Sequence, residues 1–305
     1  MMASLQDIKR RIESTKKTSQ ITSAMQMVST SKLSQIQRHT SGYLEYANKV
    51  ESIVAHLADS NDLFEGSNAS KVPFLAKRDI VNVGILVITS DRGLVGGYNN
   101  QIIKQTNALI EQLGLSNDHI VIFAIGGKGA DYYRKRGYQV AFEDREITDV
   151  PKFTEVIDIV KEITEQYALQ KFDEMYLTYN HYKNRITNEF ATTKILPITT
   201  DNFQKDESGD LALANDGNYH KSYEIESDPV ELLQVILPQF AQSLIYGAIL
   251  DAKTAEHSAS ASAMSAATDN AKSLIDTLNL RYNRARQAAI TTEITEITGG
   301  MAALN

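Results

Sequence analysis

The residues with the clearest chemical potential in this chain are glycines. Gly93, Gly96 and Gly97 follow one β-rich run, and Gly126-Gly127-Lys128-Gly129 follows another. Glycine loops between a strand and a helix can turn backbone N–H groups onto a phosphate. Neither cluster has the spacing of a working fingerprint: the first lacks the lysine and Ser/Thr of a P-loop, and the second lacks dinucleotide spacing and a clear acidic residue downstream. Turns are the commoner use of glycine. The six histidines are scattered with no pair at metal-ligand spacing, and no nucleophile-elbow sequence points to a Ser/His/Asp set. Cysteine is absent, which excludes disulfides and thiolate chemistry. The side chains therefore predict no catalytic, cofactor or metal site, and the elements that carry them become the main signal.

The dominant element is the C-terminal stretch. Asp228 can cap the first free N–H groups of a helix, Pro229 suits the first helical position, and Glu231 completes a capping box. Beyond a kink expected at Pro238 there is no further proline, and Gly299-Gly300 offers a stop. A helix from Pro229 to Thr298 would be about 105 Å long at roughly 1.5 Å per residue, too long for an ordinary domain to cover. It needs a partner. Met264, Thr268, Ala271, Ile275, Leu278, Tyr282, Ala285 and Ala289 alternate four and three apart, the period of a left-handed coiled coil. Alanines and serines from Ala255 to Ala267 would let a second helix approach closely.

The N-terminal segment supplies that second helix. Leu5, Ile8, Ile12, Leu33, Ile36, Thr40, Tyr43, Ala47, Val50, Val54 and Leu57 hold one heptad phase, with no proline before Pro73. Between the two apolar parts the same phase holds Thr15, Ser19, Thr22, Gln26 and Ser29. Ile21, Met25 and Val28 fall on a rotated face. That face either contacts something outside the helix pair or completes the core, the commoner fate of such side chains.

From Asp79 the period changes to that of an α/β domain. Strands are expected at Ile80 to Thr89, Ile120 to Ile125, Tyr138 to Phe142 and Met175 to Tyr182. Helices are expected at Gln101 to Leu113, Ala130 to Arg136 and Thr154 to Leu169. This alternation predicts a mostly parallel sheet with helices on both faces. Glu189 to Leu196, after a short turn, reads as an antiparallel edge strand. Asp201 to Asp228 is polar, acidic and rich in turn residues, as an exposed loop or small hairpin would be. Three parts result: an N-terminal coiled-coil helix at 1–72, a central α/β domain at 73–228, and a C-terminal coiled-coil helix and tip at 229–305.

The 305 residues are 42% hydrophobic and 23% charged, with a formal net charge of −7. That balance is ordinary for a globular chain and argues against bulk nucleic-acid binding. Ala3 to Thr40 nevertheless carries seven Lys/Arg against Asp7 and Glu13; Lys9, Arg10, Arg11, Lys16 and Lys17 read most simply as a solvated helix face, with contact to an acidic partner as the alternative. The start MMASLQDIKRR lacks the apolar core of a signal peptide, and no uninterrupted apolar run approaches the roughly eighteen residues of a membrane span.

The stretches IKRRIESTKKTSQITSAMQMVSTSKL, ITSDRGLVGGYN, GGKGADYYRKRG and ATDNAKSLIDTLNLRYNRARQAAITTEITEITGG closely resemble the gamma-subunit family of the F-type rotary ATP synthase, and the resemblance spans the whole chain. It implies a central-stalk rotor, an antiparallel coiled coil of the terminal helices joined to a Rossmann-like α/β domain. Its implied partners are the alpha and beta subunits of the catalytic ring, the epsilon subunit and the ring of proton-carrying membrane subunits, at the cytoplasmic face of the cell membrane. ATP chemistry would sit in neighbouring chains, so the resemblance implies a non-catalytic subunit without a cofactor of its own. By motif match, Arg286, Gln287, Thr291 and Glu293 correspond to residues that engage a catch loop of the catalytic subunits. Met25 matches a methionine associated with coupling, and Arg92 is a candidate contact for acidic loops of the same subunits. Three positions depart from the family pattern: Val95 replaces a cysteine, Ser23 a lysine, and Ser260 an arginine expected opposite Met25. An α/β enzyme holding a phosphate ligand and a coiled-coil adaptor are the competing readings. An enzyme has no use for seventy terminal residues that bury little against their own domain.

Overall fold

The computed structural model describes residues 5–60, 72–199 and 229–304. The elements run α1 (Leu5–Ser60), β1 (Val83–Ile88), α2 (Tyr98–Leu113), β2 (Ile120–Ile125), α3 (Gly127–Lys135), β3 (Gln139–Asp144), α4 (Phe153–Ala168), β4 (Glu174–Tyr182), β5 (Asn188–Leu196) and α5 (Pro229–Leu304). The expected cap at Asp228 and the acidic stretch 201–228 lie outside the described residues.

Strand order is β3-β2-β1-β4-β5. β1 pairs in parallel with β2 and β4, β2 in parallel with β3, and β5 antiparallel with β4 at the edge. This is the mixed, mainly parallel sheet that the alternating periods predict. Every residue of β1 and β2 is buried, because side chains alternate between two covered faces. Leu86, Ile88, Phe123 and Ile125 point into a core with Val156, Ile159 and Ile163 of α4 and with Leu237, Phe240 and Ile249 of α5. Val83, Ile85, Ile120 and Ile122 point the other way, against Ile102 of α2 and Tyr133 of α3.

Packing divides the chain into two compact units, Met1–Thr30 with Ser260–Asn305 and Ser31–Ala259. The second unit holds the sheet, α2 to α4, and the inner parts of the two long helices. In the first unit the outer parts of α1 and α5 pair with each other. Thr22 Oγ1 lies 2.7 Å from Thr268 Oγ1, and Ser29 Oγ lies 3.0 Å from Ser260 Oγ. The partner number falls as the α1 number rises, so the pair is antiparallel.

Two expectations are corrected. α5 does not stop at Gly299-Gly300 but continues to Leu304. Glycine permits a stop without dictating one, at about 1 kcal/mol per residue relative to alanine. α5 also contains an 18-residue window of mean hydropathy 1.4, apolar and long enough to cross a membrane, which a search for uninterrupted apolar runs misses. Half of that window is buried inside the protein, and Leu233, Leu237, Phe240 and Ile249 within α5 are core residues. Pro238 lies inside α5, which remains one helical element.

Candidate functional site

The two glycine loops meet at the carboxyl ends of β1 and β2, where an α/β sheet commonly holds a ligand. Here the donors at the start of α3 are already engaged. Gly127 N–H donates to Asp91 Oδ1 at 2.8 Å, and Gly129 N–H donates to Thr89 Oγ1 at 2.9 Å. Lys128 N–H donates to the Ser90 carbonyl at 3.2 Å, and Gly126 N–H to the Asp144 carbonyl at 2.8 Å. Asp91 thus presents a carboxylate where a phosphate would otherwise dock on the helix N-terminus. The loop is held from its own side as well, since Asn99 Oδ1 accepts the Ser90 N–H at 3.0 Å. Gly126 has φ +93°, and a Cβ there would meet the Thr89 carbonyl oxygen at 2.1 Å. Gly126 therefore serves close backbone approach between the two loops, whereas a Cβ at Gly93 or Gly97 would meet nothing within 4 Å.

Around α3 the charges close on themselves. Arg145 Nη2 reaches Asp131 at 2.6 Å and Glu143 at 3.1 Å, and Arg134 reaches Glu143 at 2.9 Å. The hydrogen bond from Arg145 holds the Asp131 carboxyl below its ordinary range, and that from Arg134 does the same for Glu143. A pocket of about 630 Å³ lies between α1, α5 and the β4–β5 edge, with Leu44, Ile195, Phe240 and Leu244 in its walls. Of its two acidic groups, Glu51 and Asp251, the latter pairs with His181 Nδ1 at 2.6 Å and accepts the Tyr182 N–H at 2.9 Å. Among the described residues no group of three or more His, Cys, Asp or Glu is placed to hold a metal ion.

The residues that the resemblance singles out fall in both units. Met25 is half-buried on α1, while its neighbours Ile21 and Val28 are 61% and 55% exposed. The rotated face is therefore open in this chain and does not complete a core. Met27, at 64% exposure, is a further apolar side chain on α1 that heptad reasoning passed over. Ser260 does not lie opposite Met25: it bonds to Ser29, and the two hydrogen-bonded pairs set a register that brings Met25 level with the region of Met264. One helical turn separates the expected pairing from the observed one.

Arg286, Gln287, Thr291 and Glu293 lie on α5 and are exposed, as is every residue from Arg286 to Met301. Ala289, expected in the seam, is exposed with them. Helical geometry puts Arg286 and Glu293 on one stripe and Gln287 and Thr291 on another. Thr291 Oγ1 donates to the Gln287 carbonyl at 3.0 Å. Ile290, Ile294, Ile297 and Met301 add apolar surface at 44% to 60% exposure. Arg92 belongs to the other unit, in the loop after β1. Its side chain is exposed and its carbonyl accepts the Ser90 hydroxyl at 2.5 Å.

The ATP synthase family model matches residues 4–304. The ATP synthase gamma chain of Oenococcus oeni is 65% identical over 303 residues, covering 99% of this chain and 100% of that one. The ATP synthase gamma chain of Leuconostoc citreum is 56% identical over 303 residues, with coverage of 99% and 100%. In fold, the chain is similar to one from the Euglena gracilis mitochondrial ATP synthase (OSCP/F1/c-ring, rotational state 3), with TM-score 0.65 and 17% identity across 98% of this chain and 94% of that one. It is also similar to one from the central stalk/c-ring of the Tetrahymena thermophila mitochondrial ATP synthase, with TM-score 0.56 and 18% identity across 81% and 99%.

Proposed function

The chain belongs to the ATP synthase gamma-chain family, and from that premise we infer that it is the non-catalytic central-stalk rotor that links ion flow in the membrane sector to ATP synthesis or hydrolysis in the catalytic ring. The observation that carries this reading is the antiparallel seam of hydroxyl and small side chains, continued by an α5 segment with no covered residue from Arg286 to Met301. Among the described residues nothing covers Ile290, Ile294, Ile297 and Met301, and exposed apolar side chains of this kind suit contact with a partner chain. Its partners on this reading are the alpha and beta subunits, the epsilon subunit and the ring of proton-carrying membrane subunits. The chain is then peripheral at the cytoplasmic face of the membrane.

Within that reading Arg286, Gln287, Thr291 and Glu293 present polar groups to a catch loop of the catalytic subunits. Arg92 meets their acidic loops, and Met25 with Ser260 belongs to the coupling region of the seam. The non-catalytic role is supported by the engagement of the glycine-loop donors with Asp91, Thr89, Ser90 and Asp144. A pull-down of the tagged chain from gently solubilised membranes tests the whole reading. Recovery with the catalytic-ring and membrane-ring subunits is expected, and recovery without them would sink it.

A further inference from the structure

We propose that Asp149 is a clasp that holds both long helices to the α/β unit at the turn where they leave it, making it a positioning residue for torque transfer; the proposal rests on the rotor reading above. Asp149 lies in the segment between β3 and α4. Its Oδ2 is ion-paired with Lys32 Nζ on α1. Its backbone carbonyl lies 3.1 Å from His257 Nε2 on α5, and its Oδ1 lies 3.8 Å from the same nitrogen. A carbonyl can only accept, so Nε2 carries the proton. His257 is 5% exposed. The next residue on α5, Ser258, is buried too and donates to the Arg185 carbonyl of the β4–β5 hairpin at 3.2 Å. α5 is therefore tied to the sheet domain by two consecutive residues, and one of those ties shares Asp149 with α1.

The position of these contacts is what gives them a role. Lys32 and His257 stand just inside the limits of the Ser31–Ala259 unit. The apolar clusters reach Ile36 on α1 and Ala255 on α5, with Leu33 buried beside Lys32 and Ala259 packed partly buried just beyond His257, so the clasp lies in the outermost turn of the grip. Exposed ion pairs add little to stability, and the Lys32 and Asp149 side chains are 36% and 45% exposed. What the contacts supply is angular register of two helices against one loop residue. A twisting load on the outer helices acts first on this turn. Without the clasp, part of each rotation is absorbed as local compliance.

The test uses the assembled complex in inverted membrane vesicles. Asp149→Asn removes the charge with little change in volume. ATP hydrolysis should stay near that of the parent, and proton pumping per ATP hydrolysed should fall about twofold or more, the lower end of what changes along a coupled element produce. The exchange Lys32→Asp with Asp149→Lys re-forms the pair and should restore coupling, and Asp149→Glu should preserve it. Pumping that falls only in proportion to hydrolysis, or an exchange variant no better than Asp149→Asn, overturns the clasp. Failure of the parent chain to co-purify with the ring subunits is a different result, and it would strike the rotor reading instead.

Discussion

Thr22 and Thr268 join the two terminal helices through their hydroxyls, 2.7 Å apart, with both residues buried in the seam. The second pair, Ser29 and Ser260 at 3.0 Å, fixes direction as well as register. Facing side chains this close make both pairs sites for an engineered disulfide, and the chain has no native cysteine. Thr22→Cys with Thr268→Cys, and Ser29→Cys with Ser260→Cys, should each close an intrachain disulfide under mild oxidation, seen as a mobility shift on non-reducing gels. The crossed combinations should not. Efficient closure of Thr22→Cys with Ser260→Cys would refute the register.

Met25 lies between those two pairs and is only half-buried, so Met25→Lys should be accommodated without unfolding. The new charge stands on the open face with Ile21 and Val28. A carboxylate of a surrounding subunit would hold it in one rotary position, and each buried ion pair broken per turn adds a barrier of several kcal/mol. Assembly and ATP hydrolysis should persist while proton pumping per ATP hydrolysed falls, measured by dye quenching in inverted vesicles beside an ATPase assay. Proportional loss of both activities would mark Met25 as ordinary packing.

Gly126→Ala should destabilise the chain by about 2–4 kcal/mol, because it combines a left-handed backbone with a direct clash. The φ is +93° and the added Cβ would lie 2.1 Å from the Thr89 carbonyl oxygen, whereas at Gly93 nothing lies within 4 Å. Gly93→Ala is therefore the matched control, expected within about 0.5 kcal/mol of the parent. Urea denaturation followed by circular dichroism compares the two. Equal stability of the variants would mean that the loops do not interlock as described.

Much of this architecture can be read from the residues. All sixteen α1 heptad positions from Leu5 to Leu57 are buried or half-buried, because a period of three and four is a local property of the chain. β2 occupies the expected Ile120–Ile125, since a short unbroken apolar run between turns leaves little choice of limits. α3 begins at Gly127 instead of Ala130: its first turn is stabilised by Asp91 and Thr89, far away in sequence, and no local propensity reports that. The same reason hid the partner of Ser260 and the clasp at Asp149. Helix pairing is periodic, but the stagger between helices is set by a few hydroxyl pairs that hydrophobic pattern does not weight.

His257 gives a pH signature. Burial, aided by Lys253 and Lys32 and opposed by Glu256, pulls its pKa from 6.5 to about 4. The unfolded chain then binds a proton at higher pH than the folded one, so stability is fully present above about 6.5 and is lost as pH falls towards 4. The shift corresponds to about 3 kcal/mol. His257→Gln keeps a polar side chain and removes the titration. Urea midpoints of the parent should fall more steeply than those of the variant between pH 6.5 and pH 4, and parallel curves would show that His257 is not held neutral by burial.

The central claim is that this chain turns. Leu169, 70% exposed at the end of α4, offers an attachment point, and Leu169→Cys would be the chain's sole cysteine. With the purified complex fixed through its catalytic ring and a bead tethered at this position, MgATP should drive sustained rotation in one direction. A bead that only fluctuates about a fixed angle while the same complexes hydrolyse ATP would contradict the account.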